Sequence, residues 1–265
     1  MNLFIELNNL VSKYRFYPKK GSGTHFIIKE KLIEEILLFL EFKKNDSIAE
    51  LFAGEFFVAR KLSHARLEVF EERKQLIPLL ENELKIKSDS FLSFKGKIKS
   101  NKCFSFFPPG TSNEVIPKIL VLDFDLIVFL LQKDAAEKIL AEPGFSEYSF
   151  LSVFSDAFFE AKEVTEVKPD FFFPSVSGNY FLVKFIKKNK TRIKNKEEFL
   201  EFIKALFRFK NRVFISALSK AIPLMKLNRK TKQKIKKKIH SVKFNEKVYL
   251  METTDFIELF NELTI

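Results

Sequence analysis

KCFSFFPPGTSN, residues Lys102–Asn113, is the stretch around which the fold is organised. Its Phe-rich apolar run meets Pro108, Pro109 and Gly110, which predicts a buried strand ending in a sharp turn. In a doubly wound α/β sheet, ligands bind outside the carboxyl ends of such strands. A core strand with its exit turn is the plainer interpretation, and the flanking segments bear on the choice.

The segment DSIAELFAGEFFVA, residues 46–59, predicts the opening unit of a nucleotide-binding α/β domain. Residues 47–52 read as a strand, residues 53–54 as a turn and residues 57–62 as the start of a helix. In such units a phosphate or carboxylate binds at the helix N-terminus.

Acidic residues follow the next two predicted strands. Residues 66–72 predict a second short strand that ends in the acids Glu71 and Glu72, and residues 84–86 predict a third short strand with Asp89 at its exit. Carboxylates in these places are suited to bind a nucleotide ribose or base. Ordinary solvated acids are the alternative.

The remaining pattern continues the alternation of strands and helices. A loop, PDFFFPSVSG, separates the last two predicted strands and is expected to expose three consecutive Phe residues. The predicted helices cover residues 29–42, 75–84, 113–120, 134–141, 148–159, 197–206 and 254–263, and the further strands cover residues 126–131, 162–168 and 179–187.

Charge and length limit the function classes. The 265 residues suffice for one substantial core with a smaller satellite, and 46 basic against 34 acidic side chains leave a net charge of +12. Such an excess favours a polyanionic partner, nucleic acid first, although a highly charged soluble surface is the alternative. No apolar run has the length of a membrane span and no signal-peptide pattern opens the chain, so we expect a cytoplasmic protein that binds no membrane.

Metal chemistry is not expected. Cys103 is the single cysteine, which excludes an internal disulfide and a thiolate metal cluster. His25, His64 and His240 are too far apart in sequence to form a ligand motif.

Three segments are candidates for contact with nucleic acid. Residues 13–20 interleave basic and aromatic side chains, which suits phosphate and base contacts, or a mobile N-terminal arm. Residues 207–212 are basic, and residues 226–243 carry nine basic residues and no acid. The candidate RNA-binding residues are Arg208, Lys210, Arg212, Lys236 and Lys237.

Four blocks, in order along the chain, resemble the ribosomal RNA adenine dimethyltransferases, particularly the archaeal members. The blocks are PKKGSGTHFIIKEKL at 18–32, QKDAAEKILAEPGFSEYSFLSV at 132–153, VKPDFFFP at 167–174 and EEFLEFIKALFRFKNRVFISAL at 197–218. The resemblance implies an α/β fold: a Rossmann-like class I methyltransferase domain over residues 1–187, and a small all-helical RNA-binding domain over residues 188–265. We expect a monomer.

The resemblance also implies a function. Family members use S-adenosylmethionine to dimethylate adenosines near the 3′ end of small-subunit rRNA during ribosome assembly. By position, His25 and Ile27 match the cofactor-contacting segment, Glu71 the acid that holds the ribose, and Asp89 the acid that reads the adenine amino group. Phe172 matches an aromatic residue that sandwiches the target base.

Other positions depart from the family. Its first loop, Glu-Ile-Gly-Pro-Gly-x-Gly, is matched here by residues 50–56, with Phe52 and Phe56 at glycine positions and Gly54 retained in the cofactor loop. Glycine serves there because the backbone must approach the cofactor closely and adopt turns that a Cβ disfavours. The family's Glu-x-Asp becomes Glu71, Glu72 and Arg73.

The catalytic block Asn-Leu-Pro-Tyr also differs. The ungapped match begins with Phe106 and places Pro108 third, whereas a slip of one residue would put Ser105 at the polar position. The family's Asn accepts a hydrogen bond from the adenine amino group, and loss of such a group commonly costs orders of magnitude in rate. Two hypotheses therefore stand: an rRNA dimethyltransferase, and a catalytically degenerate relative that acts as an RNA-binding assembly or checkpoint factor.

Overall fold

The computed structural model of the chain describes residues 2–18, 24–52, 56–85, 88–107, 110, 112–189, 191–239 and 244–264. The chain forms two compact units. The first comprises Met1–Asn113, Asp123–Ala136 and Ala161–Ile186, and the second comprises Glu114–Leu122, Glu137–Glu160 and Lys187–Ile265. The last limit lies beside the predicted domain boundary at residue 187, but the second unit also includes two earlier segments.

A seven-stranded sheet has the strand order β4-β3-β2-β5-β6-β9-β7. The pairs from β4 to β6 are parallel, and β9 is antiparallel to β6. Strands β1 and β8 form a separate antiparallel pair. The strands are β1 (Phe26–Ile27), β2 (Ser47–Leu51), β3 (Arg66–Phe70), β4 (Ser88–Asp89), β5 (Lys102–Phe106), β6 (Leu126–Gln132), β7 (Phe159–Val167), β8 (Phe172–Phe173) and β9 (Tyr180–Lys187).

Helices alternate with the parallel strands, so the predicted Rossmann-like α/β class is confirmed. In the second unit, α7 contacts α8 and α11, α8 contacts α9, and α10 contacts α11. The helices are α1 (Leu3–Tyr14), α2 (Glu30–Phe39), α3 (Phe56–Leu62), α4 (Ile77–Leu84), α5 (Ser112–Val121), α6 (Lys133–Leu140), α7 (Phe150–Phe158), α8 (Lys196–Phe207), α9 (Phe214–Ala221), α10 (Arg229–Lys238) and α11 (Thr253–Thr264).

The central strands are buried because their sequences are continuously apolar. Strand β6, LIVFLLQ, has six consecutive buried residues, and the last four residues of β5 are buried as well. Parallel strands in the middle of such a sheet are covered on both faces, which removes the alternation of apolar and polar residues. The apolar run at residues 103–107 therefore belongs to a core strand, as the sequence predicts.

Helix α1 was missed by the sequence analysis. Asn2 caps it, since its side chain accepts hydrogen bonds from two backbone N–H groups of the first turn. Leu3, Leu7 and Leu10 are buried, and their spacing of four and three residues places them on one side of the helix. This periodic pattern was available in the sequence.

The basic and aromatic segment at residues 13–18 is packed rather than a free arm. Lys13 and Tyr14 both donate hydrogen bonds to the Glu83 carboxylate at 2.6 Å. Phe16 is buried, and its ring centroid lies 5.5 Å from that of Phe26. The arm alternative is therefore wrong for these residues.

Two further predictions are corrected. The third strand is β4, not residues 84–86, because Leu84 ends α4 and Lys85 takes a left-handed conformation with φ of 58°. The Phe-rich loop does not expose all its rings, since Phe172 is buried and belongs to β8. Pairing of β8 with β1 withdraws this ring from solvent.

Across the described ranges, no helix is both long and apolar enough to span a membrane. No group of three or more His, Cys, Asp or Glu side chains in those ranges is arranged to hold a metal ion.

Candidate functional site

Four of the predicted site residues lie at the carboxyl ends of the parallel strands. The strand order reverses between β2 and β5, and ligands of doubly wound sheets bind at this switch point. Phe52 directly follows β2, Glu71 directly follows β3, Asp89 ends β4 and Phe106 ends β5. Of Asp89 only the backbone position is described, and Gly54 and Pro108 lie outside the described residues.

Phe52 takes a backbone conformation that favours glycine. Its φ is 59°, in the left-handed region, which costs a residue with a Cβ roughly 1 to 2 kcal/mol. The side chain is buried at 4% exposure, and its ring lies 6.0 Å from Phe107 and 6.2 Å from Phe91, centroid to centroid. The turn therefore keeps a glycine-like path while a phenyl ring covers the switch point.

Further rings extend this covering. Phe70, the last residue of β3, lies 6.0 Å from Phe91 and 5.0 Å from Phe94. We call Phe52, Phe70, Phe91, Phe94 and Phe107 the strand-end cluster. These rings lie at or after the carboxyl ends of β2, β3, β4 and β5, so the surface at these strand ends is apolar.

Glu71 is bound by a neighbour in its own loop. Its carboxylate is buried, and the Arg73 guanidinium donates to both oxygens, from Nε to Oε1 and from Nη2 to Oε2, each at 2.8 Å. The Arg73 backbone N–H donates to Oε1 as well, at 2.7 Å. Such a bidentate pair is the strongest hydrogen-bonding geometry between an arginine and a carboxylate. The predicted ribose-binding acid is therefore neutralised from within the chain.

Phe106 and Phe172 contact each other. Their ring centroids are 5.3 Å apart with an angle of 27° between the planes. Tyr180 packs against both, at 5.5 Å from Phe106 and 5.4 Å from Phe172. We call these three rings the stacked triad. Burial raises the pKa of Tyr180 to about 12, so its phenol is neutral.

His25 and Ile27 hold the β1–β8 pair in place. Both are buried, at 4% and 0% exposure. The His25 Nδ1 atom lies 2.7 Å from the Pro174 carbonyl oxygen, within hydrogen-bond distance. Ile27 pairs with Phe172 across the two strands. This arrangement fixes the Phe172 ring against Phe106.

Ser105 faces the neighbouring strand. It is fully buried, and its hydroxyl donates to the Leu51 carbonyl of β2 at 2.9 Å. Phe106 is the next residue and ends β5. In this arrangement the Ser105 hydroxyl is engaged inside the sheet.

Positive charge is concentrated in the C-terminal part of the chain. Residues 187–265 carry 21 basic and 8 acidic side chains, whereas residues 1–186 carry 25 basic and 26 acidic ones. The C-terminal part thus accounts for the whole net charge of the protein. Arg208, Arg212, Lys236 and Lys237 are exposed there.

Lys210 differs from the other four candidate RNA-binding residues. It is half-buried, and its ammonium donates to the carbonyls of Ser146 at 2.7 Å and Tyr148 at 3.2 Å. These bonds tie the residue to the loop before α7. Its ammonium group is therefore engaged in hydrogen bonds within the second unit.

We expect Lys210→Met to lower the free energy of unfolding by about 1 to 2 kcal/mol, because two carbonyls lose a charged donor. The matched variant Arg208→Met, at an exposed position, should change it by less than about 0.5 kcal/mol. Urea denaturation followed by circular dichroism measures both. Equal stabilities of the two variants would contradict the structural role of Lys210.

Sequence comparison covers nearly the whole chain. The family described as ribosomal RNA adenine dimethylase matches residues 16–264. The chain belongs to the ribosomal RNA adenine dimethylase family. A probable ribosomal RNA small subunit methyltransferase A of Pyrococcus furiosus is 29% identical over 239 residues, which are 88% of this chain and 86% of the relative. The Clostridium botulinum (strain Okra) ribosomal RNA small subunit methyltransferase A is 26% identical, over 79% of this chain and 82% of its own.

Solved structures support the fold assignment. A dimethyladenosine transferase from Plasmodium falciparum has a TM-score of 0.71 at 20% identity, with 91% of this chain and 98% of that chain covered. The 23S rRNA methyltransferase ErmE has a TM-score of 0.63 at 18% identity, with 90% and 99% covered. The predicted class I methyltransferase fold is thereby confirmed.

The family implies S-adenosylmethionine, but Phe52 and the Glu71–Arg73 pair at the strand ends of this member do not fit that cofactor. At the family's first glycine position the Phe52 ring is buried in the strand-end cluster. The acid that would hold the ribose is bound through both oxygens by Arg73. Among the described residues, a phenyl ring thus stands at a glycine position of the cofactor loop and the Glu71 carboxylate is already paired, whereas residues 53–55 of the loop lie outside the described ranges.

Arg73, Phe91 and Tyr180 are the residues of this site whose roles the sequence analysis missed. Arg73 was noted as a departure, but its pairing with Glu71 was not, although a spacing of two residues allows a side chain to fold back. Phe91 and Tyr180 had no such signal, because their contacts with Phe52 and Phe106 join residues distant in sequence.

Proposed function

We propose that this protein binds small-subunit rRNA near its 3′ end during ribosome assembly, as a docking factor that does not transfer methyl groups. We place it in the cytoplasm and expect it to act as a monomer. The observation that carries the proposal is the direct contact of Phe106 with Phe172, the positions that the family resemblance assigns to catalysis and to the target base.

Family membership and charge support the rRNA part. The relatives from Pyrococcus furiosus and Clostridium botulinum are named for the small ribosomal subunit. The excess of 13 positive charges in residues 187–265 suits a polyanion, because each neutralised phosphate releases condensed counterions.

The short distance between the Phe106 and Phe172 rings supports the proposed absence of methyl transfer. A base that stacks on Phe172 needs an open ring face, with about 3.5 Å between the two planes. The Phe106 and Phe172 centroids are 5.3 Å apart. A phenyl ring also has no acceptor for the adenine amino group, so Phe106 cannot replace the family's Asn.

Dimethylation of adenosine with S-adenosylmethionine is the second candidate. It is favoured by the positions of Glu71 and Asp89, which follow β3 and end β4 as cofactor-binding acids do in this fold. The positive φ of Phe52 favours it too, since the turn keeps the path of a glycine loop. For this candidate both the strand-end cluster and the stacked triad would have to open.

Calorimetric titration with S-adenosylmethionine, followed by a methyl-transfer assay on immature small subunits, separates the candidates. We expect no heat of cofactor binding and no transfer, together with salt-sensitive binding to the subunits. A dimethyladenosine transferase assayed in parallel is the positive control. Cofactor binding with methyl transfer would establish the second candidate, and the absence of subunit binding would contradict both.

A further inference from the structure

Helix α10 divides its basic side chains between two sides. Seven of its ten residues are Lys or Arg. Three of these lysines donate to backbone carbonyls of the second unit: Lys232 to Pro223 at 3.4 Å, Lys234 to Thr264 at 3.2 Å and Lys238 to Glu262 at 2.8 Å.

The inward side of α10 is fixed by burial and by helix ends. Ile235 and Ile239 are buried at 0% and 5% exposure, and Asn228 caps the helix by accepting from the Thr231 N–H at 2.8 Å. Two of the acceptor carbonyls belong to the last turn of α11, where unpaired carbonyls and the helix dipole attract cations. The rotation of α10 about its own axis is therefore determined by its contacts.

The outward side carries the other four charges. Arg229, Lys230, Lys236 and Lys237 are all exposed. At 3.6 residues per turn they fall within an arc of about 120°, and at 1.5 Å per residue they extend over about 12 Å. We call these four residues the α10 stripe. Within the described part of the chain, no ion pair involves any of them.

Such a stripe is unfavourable for an isolated helix. Each stripe residue has a like charge one turn away, on Lys232 or Lys234, and like charges at that spacing destabilise a helix by a few tenths of a kcal/mol per pair. Solvated helix faces usually mix signs, and α10 has no acidic residue. A polyanion along the outward side would remove the repulsion.

We propose that the α10 stripe is a phosphate-binding surface that docks along the sugar-phosphate backbone of an rRNA helix. The inference rests on the proposed function, which requires rRNA binding but does not say where. Backbone contact is favoured over base contact because Lys and Arg bind phosphates and α10 has no aromatic residue on which an unpaired base could stack.

The test is the salt dependence of binding to a transcript of the 3′ domain of small-subunit rRNA. The stripe variant carries Arg229→Gln, Lys230→Gln, Lys236→Gln and Lys237→Gln. Each lost phosphate contact reduces the slope of log K against log salt by about 1, so we expect a reduction of about 2 to 4. Affinity at 0.1 M salt should fall by about 10- to 1,000-fold.

A control variant removes the same charge from exposed lysines elsewhere in the second unit. It carries Lys194→Gln, Lys204→Gln, Lys220→Gln and Lys247→Gln. We expect it to change the slope by less than about half as much. Circular dichroism establishes that both variants fold. Equal slopes for the two variants would overturn the inference, because binding would then depend on diffuse charge.

The remaining outcomes separate the inference from the function on which it rests. If the wild-type protein does not bind the transcript, the proposed function fails. If wild type binds and the stripe variant keeps its slope, only the inference fails. Sedimentation with phosphatidylserine vesicles tests a membrane surface instead, and loss of vesicle binding with unchanged RNA binding would also overturn the inference.

Discussion

Replacing Phe172 with alanine is expected to lower the free energy of unfolding by about 3 to 5 kcal/mol. The ring is 2% exposed and contacts both Phe106 and Tyr180 in the stacked triad. Its removal loses the burial of a whole aromatic side chain and leaves a cavity that β1 and β8 can fill only in part. Aromatic pairs add about 0.5 to 1.5 kcal/mol beyond the buried area.

The size of this effect separates two roles for the same residue. A ring kept free to stack on a target base would be exposed in the unbound protein, and its truncation would hardly change stability. A ring that is part of the core is needed for folding. Urea denaturation of Phe172→Ala therefore tests whether this family position has become structural.

Phe173→Ala is the matched control. Phe173 is the adjacent residue of β8, it is half-buried, and its ring meets the edge of Phe4 at 4.9 Å. We expect truncation here to lower the free energy of unfolding by about 1 kcal/mol. Similar values for the two variants, or a loss below about 1 kcal/mol for Phe172→Ala, would contradict the core role of Phe172.

The sequence predicted well where the carboxyl ends of the central strands lie, but not which contacts the side chains at those ends make. Strands β2, β3 and β5 were predicted close to their observed bounds, since buried parallel strands carry long apolar runs that end at turn residues. The strand β4 was misplaced because residues 84–86 (LKI) alternate apolar and polar side chains like a strand, while the helix before them continues through Leu84. Element ends depend on capping geometry more than on apolar pattern.

Contacts between distant residues set the limit for the site itself. The resemblance placed Phe52 at a glycine position and Phe106 at the catalytic Asn position. That Phe52 adopts a φ of 59°, and that Phe106 stacks on Phe172, depend on how loops after different strands meet. The residue pattern of a single segment does not predict such contacts between loops.

Arg73→Ala is expected to lower the free energy of unfolding by about 3 kcal/mol, since it leaves a buried carboxylate without its partner. The Glu71 side chain has no solvent exposure and the Arg73 side chain is 17% exposed. The variant loses both guanidinium bonds, while the Arg73 backbone bond to Oε1 can persist. Breaking one side of a buried pair is far more damaging than replacing both.

A double-mutant cycle identifies the cause. In Glu71→Gln/Arg73→Ala the unpaired charge is gone, so we expect part of the loss to be recovered, with a coupling energy of about 2 kcal/mol between the two positions. Arg66→Ala, which removes an exposed arginine from β3, should change stability by less than about 0.5 kcal/mol. Additive effects of the Glu71 and Arg73 substitutions would show that the pair is not coupled.

The cycle also bears on how a methyltransferase fold can lose its cofactor site. An acid that remains at the end of β3 would ordinarily indicate a retained ribose contact. Here the arginine two residues later pairs with that acid, so the carboxylate contributes to stability whether or not a ligand binds. If Arg73 and Glu71 prove coupled, the presence of the acid at this position is explained without any bound cofactor.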